Sequence, residues 1–182
     1  MRLVRYGEAG REKPGILDGQ GAIRDLSSAV GDVDGAALSP EGLAKLRALD
    51  VEGLPKVSGS PRLGPPVGGV GKLVAIGLNY SDHAKEAGQP IPSEPIIFMK
   101  ATSSICGPND NVVLPRDSNK SDWEVELAFV MGRTAKYVSE ADALGYVAGY
   151  LICIMPQKLA LALVGLAVSS QAILSIYNLF SA

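Results

Sequence analysis

Residues 121 to 133 read Ser-Asp-Trp-Glu-Val-Glu-Leu-Ala-Phe-Val-Met-Gly-Arg. Trp123, Val125, Leu127 and Phe129 alternate with Glu124, Glu126, Ala128 and Val130. A period of two built from β-formers predicts a strand. Both carboxylates then leave one face, with their Cα atoms about 6 to 7 Å apart at the usual strand rise. Two readings stand side by side: a half-buried strand with a solvated acidic face, or a pair of oxygen ligands for one hard cation. The face that carries Glu124 and Glu126 continues as Ala128 and Val130, so half of the strand is apolar on both faces. That pattern predicts a strand well inside a fold, where two neighbouring carboxylates repel and lose hydration unless a cation or donors compensate. Oxygen ligands suit magnesium, manganese or calcium.

The chain of 182 residues is long enough for one sizeable domain, or for a small domain with part of a larger one. A net charge of -2 gives no electrostatic reason to expect nucleic acid or an anionic membrane as a partner. Cys106 and Cys153 are the two cysteines, too few for a disulfide framework, and a reduced, cytoplasmic setting is expected. The opening Met-Arg-Leu-Val-Arg-Tyr-Gly-Glu carries charges where a secretion signal needs an apolar run. His83 is the single histidine, so any imidazole chemistry within one chain occurs there.

Before the acidic strand, residues 2 to 6, 15 to 18 and 22 to 26 read as short strands separated by glycine-containing turns, with Asp18-Gly19 a hairpin corner. Ser39-Pro40-Glu41 supplies an N-cap, an N1 proline and an early acid ahead of Leu43, Leu46 and Leu49, the start of a short amphipathic helix. Residues 53 to 71 hold four prolines and six glycines without periodicity, which predicts an irregular connector and a domain boundary near Gly71.

Leu73 to Leu78 is an apolar run of strand length, expected to be buried on both faces. Asn79 to Gly88 follows, with His83 and Glu86 three apart. On one helical turn they share a face, where a carboxylate can orient an imidazole as a general base, or both side chains can simply meet water. Ile96 to Lys100 is a further strand candidate, and the polar turn between the two strands reads as a lid. Cys106 reads as a small buried apolar residue, and Ser103 and Ser104 lack the setting of a nucleophile. Ser139-Glu140-Ala141-Asp142 opens a short helix, and Val147 to Cys153 reads as a buried strand. No phosphate-loop or dinucleotide fingerprint is present.

Four stretches, Gly-Leu-Asn-Tyr-Ser-Asp-His-Ala-Lys-Glu (77 to 86), Glu-Pro-Ile-Ile-Phe-Met-Lys (94 to 100), the acidic strand, and Asp-Ala-Leu-Gly-Tyr-Val-Ala-Gly-Tyr (142 to 150), resemble in order and spacing the fumarylacetoacetate hydrolase family. The connector Leu63 to Lys72 resembles it too, so the likeness spans about residues 1 to 150. The resemblance implies an α+β, mostly β fold: an incomplete mixed β-roll over 71 to 153, a small β-rich N-terminal domain over 1 to 70, and an atypical apolar tail over 154 to 182. It also implies a metal-dependent hydrolase, lyase or isomerase cleaving or decarboxylating small β-keto or acylpyruvate-type acids, working as a homodimer. Glu124 and Glu126 would be two of three carboxylate ligands of Mg2+, Mn2+ or Ca2+. His83 would activate water with Glu86 as its orienting partner, and Lys100 would contact substrate or simply stand in solvent.

The chain departs from the pattern after Tyr150. Where the family carries an Asn-Asp pair whose aspartate is the third ligand, this chain reads Ile154-Met155, and no Asp or Glu occurs beyond Asp142. From Leu151 onward Lys158 is the sole formal charge. That shift predicts a replaced C-terminus, weak metal affinity and little turnover. The competing reading is a non-catalytic remnant or interaction protein. Its apolar stretch Leu159 to Phe180 would either tether it to a membrane or form a helix over an open sheet edge.

Overall fold

A computed structural model of the chain describes residues 1–119, 121–158 and 173–177. Its elements run β1 (Leu3–Tyr6), β2 (Lys13–Leu17), β3 (Ile23–Asp25), α1 (Pro40–Arg47), β4 (Leu73–Gly77), α2 (Ser81–Glu86), β5 (Ile96–Lys100), β6 (Ser121–Met131), α3 (Glu140–Ala143), β7 (Val147–Lys158) and β8 (Ile173–Tyr177). The strands form three sheets, β1-β2-β3, β4-β5 and β6-β7-β8, and every pairing within them is antiparallel. The fold is therefore mostly β with short helices.

The first sheet is set by its second turn. The buried Asp18 accepts from the backbone N–H of Gln20 (3.0 Å) and Ala22 (2.8 Å) and from Arg24 Nε (2.9 Å), closing the β2-β3 hairpin at the expected corner. The Arg24 guanidinium holds that carboxyl below its usual range. Helix α1 begins as its sequence requires, with Ser39 Oγ accepting from the Gly42 N–H at 3.0 Å and Pro40 in the first turn. Its buried face, Leu43 and Leu46, joins Leu3, Ile16, Leu26, Val33 and Val67 in one core. Each such leucine contributes about 1.5 to 3 kcal/mol by leaving water. Ala148 at the start of β7 belongs to the same core, which ties the N-terminal unit to the sheet bearing the acidic strand.

A second tie is polar. Arg62 in the connector donates to Glu12 Oε1 (2.9 Å) and to Asp110 Oδ1 (2.6 Å), while Asp110 Oδ2 accepts from the Gly107 N–H at 2.7 Å. The loop carrying Cys106 is thereby drawn onto the connector so closely that a Cβ on Gly107 would lie 2.1 Å from the Leu63 carbonyl oxygen. Only glycine fits there.

Three expectations from the sequence need correction. β4 is not buried on both faces: Val74 and Ile76 are exposed, as are their register partners on β5, Met99 and Ile97. Nor does β6 lie well inside the fold, because Trp123, Val125, Leu127 and Phe129 are exposed while Glu124, Glu126, Ala128 and Val130 are half-buried. Apolar composition marks surface that some partner layer can cover, and in the described residues no layer stands over this face. The described part of the apolar tail is a strand rather than a helix: β8 pairs with the edge of β7, from Tyr150↔Tyr177 to Ile154↔Ile173. Residues 159–172 and 178–182 lie outside the described residues, among which no helix is long and apolar enough to cross a membrane.

Candidate active site

β6 pairs with β7 in a register that sets Glu124 opposite Met155 and Glu126 opposite Cys153. Glu124, Glu126 and Ala128 share the inner face by alternation. On the same face Cys153 is fully buried with Leu151, packed against Ile105, Ala128 and Val130, and forms a small apolar floor next to the acid pair. The floor residue missed in the sequence is Cys153, which the alternation of β7 against β6 would have identified. Cys106, expected to be buried, is only half-buried.

The other side chains singled out from the sequence come from a second sheet. β4 ends at Gly77, and Leu78 at φ 48° turns the chain sharply into α2. A bulky residue with positive φ is strained, and strain of this kind gathers where geometry is functional. Helix α2 is anchored by the buried Ala84, which leaves His83 and Glu86 both exposed. β5 returns antiparallel to β4 and ends at Lys100, whose Nζ lies 5.3 Å from the centre of the Phe98 ring.

Electrostatics show which of these groups converge. The Glu126 carboxyl is pushed up from its ordinary value, first by burial and then by the neighbouring charge of Glu124, while His83 and Lys100 draw it part of the way back. The Cys153 thiol is pushed up to about 11, chiefly by burial and next by Glu126, again with Lys100 opposing. The charges of Glu124, His83 and Lys100 therefore all reach Glu126. Glu86 is not among the charges acting on Glu126.

The arrangement can concentrate negative charge on a dry floor, with one imidazole and one ammonium at its margin. Two carboxylates match a hard divalent cation in kind. They fall short in number, since among the described residues no three His, Cys, Asp or Glu side chains gather to hold a metal ion. Position 155, directly across from Glu124 in the register, holds methionine.

The fold is mostly β, with the charges of Glu124, His83 and Lys100 reaching Glu126, and comparison with known proteins shows what it resembles. Residues 72–154 match the model of the fumarylacetoacetate (FAA) hydrolase C-terminal domain. A protein of Burkholderia lata, named as a presumed hydrolase, is 61% identical over 152 residues, which is 84% of this chain and 54% of the relative. The solved fumarylacetoacetate hydrolase of Exiguobacterium antarcticum aligns with TM-score 0.71 and 28% identity, over 87% of this chain and 56% of that one. Maleylpyruvate hydrolase of Sphingobium sp. SYK-6, solved with manganese and pyruvate, shares the fold at TM-score 0.75 and 23% identity, over 98% of this chain and 67% of that one. Over the matched residues this chain is similar to the fumarylacetoacetate hydrolase family. It spans about half the length of the curated relatives that it matches.

Proposed function

We propose that the site is that of a metal-dependent hydrolase or lyase acting on a small keto acid, and that this polypeptide binds its metal weakly and turns over little. The observation that carries the reading is the convergence of Glu124, His83 and Lys100 on the half-buried Glu126. Manganese and pyruvate in the Sphingobium relative support a divalent cation and a keto-acid substrate in general. We assign Glu124 and Glu126 as metal ligands, His83 as the base with Glu86 as its orienting partner, and Lys100 as a contact for the substrate. The finer architecture that goes with this reading is a mixed β-roll beginning near residue 71 behind an N-terminal domain of residues 1–70. A homodimer in the cytoplasm is the matching expectation.

A divalent cation, when bound, supplies Lewis acidity toward the oxygen of a chelated keto acid. The chain's own residues account for the rest. His83 offers the chain's one imidazole, the residue type suited to general-base work. Lys100 presents a positive charge to an anionic substrate from the end of β5. Leu151, Ile105 and Cys153 form an apolar cluster beside the carboxylates, and apolar surroundings strengthen charge interactions. The exposure of Glu86 and His83 on α2 leaves their mutual alignment to closure of that short helix over a bound ligand.

Two assays test the reading: Mn2+ titration followed by the EPR signal of the free ion, and pyruvate release from acylpyruvates. Weak Mn2+ binding that Glu124→Gln weakens further, with slow pyruvate release, supports it. Saturable micromolar binding would overturn the claim of a deficient site. Binding indifferent to Glu124→Gln and Glu126→Gln alike would remove the metal assignment altogether.

A further inference from the structure

The charge of Lys100 reaches Glu126, yet the strands that carry the two share no ladder. Among the described residues β4 and β5 pair with each other alone, and β6 pairs with β7 alone. The distance from the end of β5 to the acid pair is therefore set by contacts outside the strands. Directly after Lys100 the chain makes one 3-10 turn, Thr102–Ser104, where the buried Ser104 donates its Oγ–H to the Ala101 carbonyl at 2.6 Å. Ile105 then packs against the Leu151–Cys153 pair, and Cys153 is the register partner of Glu126. A short segment thus joins the ammonium end of β5 to a side chain seated beside the acid pair.

That segment is held by Arg62, a residue of the connector. Its guanidinium donates from Nε and Nη2 to the two Asp110 oxygens, at 2.6 and 2.5 Å. A fork of this kind fixes direction as well as distance. Asp110 Oδ2 passes the constraint on by accepting from the Gly107 N–H at 2.7 Å, just past Ile105. The base of the fork is fixed too. Arg62 Nη1 donates to Glu12 Oε1 at 2.9 Å and to the Gly7 carbonyl at 3.2 Å, and the Glu12 side chain is 5% exposed. Arg5 stands 3.5 Å from the other Glu12 oxygen and is itself bound to Asp32. Isolated surface ion pairs hold little, but a bidentate pair inside a network and largely out of water holds a geometry. The same N-terminal unit takes Ala148 of β7 into its apolar core. It also brings the Leu38 carbonyl so near Gly132, at the end of β6, that a Cβ there would lie 2.9 Å from the oxygen. One body therefore grips the β6-β7 sheet by apolar contact and the loop behind β5 by charge.

We propose, resting on the site read above, that Arg62 is a positioning residue: by fastening Asp110 it seats Ile105 on the Cys153 floor and sets the Lys100 end of β5 toward Glu126. Neither Arg62 nor Asp110 is asked to meet substrate or metal.

Methyl NMR of the full metal-free chain tests it. In the parent, the Ile105 methyls show Overhauser contacts to the Leu151–Cys153 pair. Asp110→Asn keeps the Arg62–Glu12 pair, but its amide nitrogen cannot accept where a carboxylate oxygen did. The Ile105 contacts are expected to vanish, and alkylation of Cys153 by iodoacetamide is expected to quicken roughly five- to thirtyfold. Arg62→Lys, which keeps the charge and lacks the fork, does the same. Leu46→Ala separates positioning from plain stability: it weakens the N-terminal core more than Asp110→Asn does, and it leaves the Ile105 contacts in place. A parent chain that binds no Mn2+ at all would sink the proposed function, while the Overhauser contacts would still decide the role of Arg62. Three results would overturn that role: the contacts survive both Asp110→Asn and Arg62→Lys, they vanish in Asp110→Asn alone, or Leu46→Ala removes them as readily.

Discussion

Leu26 and Val33 in the N-terminal unit have no exposed surface, whereas Leu127 and Phe129 in β6 expose 61 and 58% of theirs. Both regions spend comparable apolar composition, and they differ in whether a second layer faces the first. Around Leu26 the layer is supplied by α1, by Val33 and Val67 in loops, and by Ala148 from β7. Over the outer face of β6 the described residues supply none. Stability and site therefore sit in different places: the N-terminal unit holds itself together, and the sheets beside it hold the acid pair on a floor that is half finished.

The sharpest way to break this comparison is to truncate one leucine in each region. Leu46→Ala empties a fully enclosed position of α1 and is expected to cost about 3 kcal/mol. Leu127→Ala removes surface already in water and is expected to cost less than about 0.5 kcal/mol. Urea unfolding of the two variants, monitored at the single Trp123, measures both. Equal losses would mean that β6 is covered in solution.

The sequence told strand from helix well and inside from outside poorly, for a physical reason. Period two in β6, the Ser39-Pro40 start of α1 and the Asp18-Gly19 corner are local signals, and the structure places a strand, a helix and a hairpin there. Burial of β4 and β6 is a property of what packs on them, and no residue within a strand encodes its covering layer. The site divides in the same way. Glu124, Glu126 and His83 were legible as residue types at suitable spacing, but the approach of Lys100 depends on β5 folding back along β4, and the Cys153 floor depends on the β6-β7 register. The joining of Arg62 in the connector to Asp110 across 48 positions leaves no local trace.

The same register yields the next prediction, which sharpens the claim that the site half is unfinished. Met155 lies across from Glu124, so Ile154→Asn with Met155→Asp places a third carboxylate beside the first two. Mn2+ affinity should rise roughly tenfold to a hundredfold, since ligand number and charge set the strength of oxygen-ligand sites. An unchanged affinity would mean that the deficit lies elsewhere than in the third ligand. A smaller effect is expected at the polar tie. Asp110→Asn leaves Arg62 with one of its two carboxylate partners and removes the charge that its guanidinium holds well below the usual carboxylate range. Its cost should be about 1 to 2 kcal/mol at neutral pH, less than for a fully buried pair because both side chains are partly exposed. That stability is present above the carboxyl's unfolded value and fades as pH falls through its lowered folded value, so the variant and parent should converge in acid.

Glu126 gives the smallest effect and the opposite sign. Burial and Glu124 raise its carboxyl, so the native state holds that proton more tightly than the unfolded chain does. Between the unfolded value, about 4.3, and the raised folded value, stability falls as pH rises, and above that window the full cost of the ionised pair remains. Glu126→Gln should therefore stabilise the metal-free protein at pH 7, by under about 1 kcal/mol for a group only half removed from water, and should have no effect well below pH 4. A bound cation reverses the argument, because it binds the native pair and is lost with either carboxylate. In the Met155→Asp background, saturating Mn2+ should turn the same substitution from stabilising to destabilising. If Glu126→Gln is already destabilising at pH 7 without metal, then Lys100 and His83 suffice to balance the pair, and the acidic face of β6 needs no cation to account for its position.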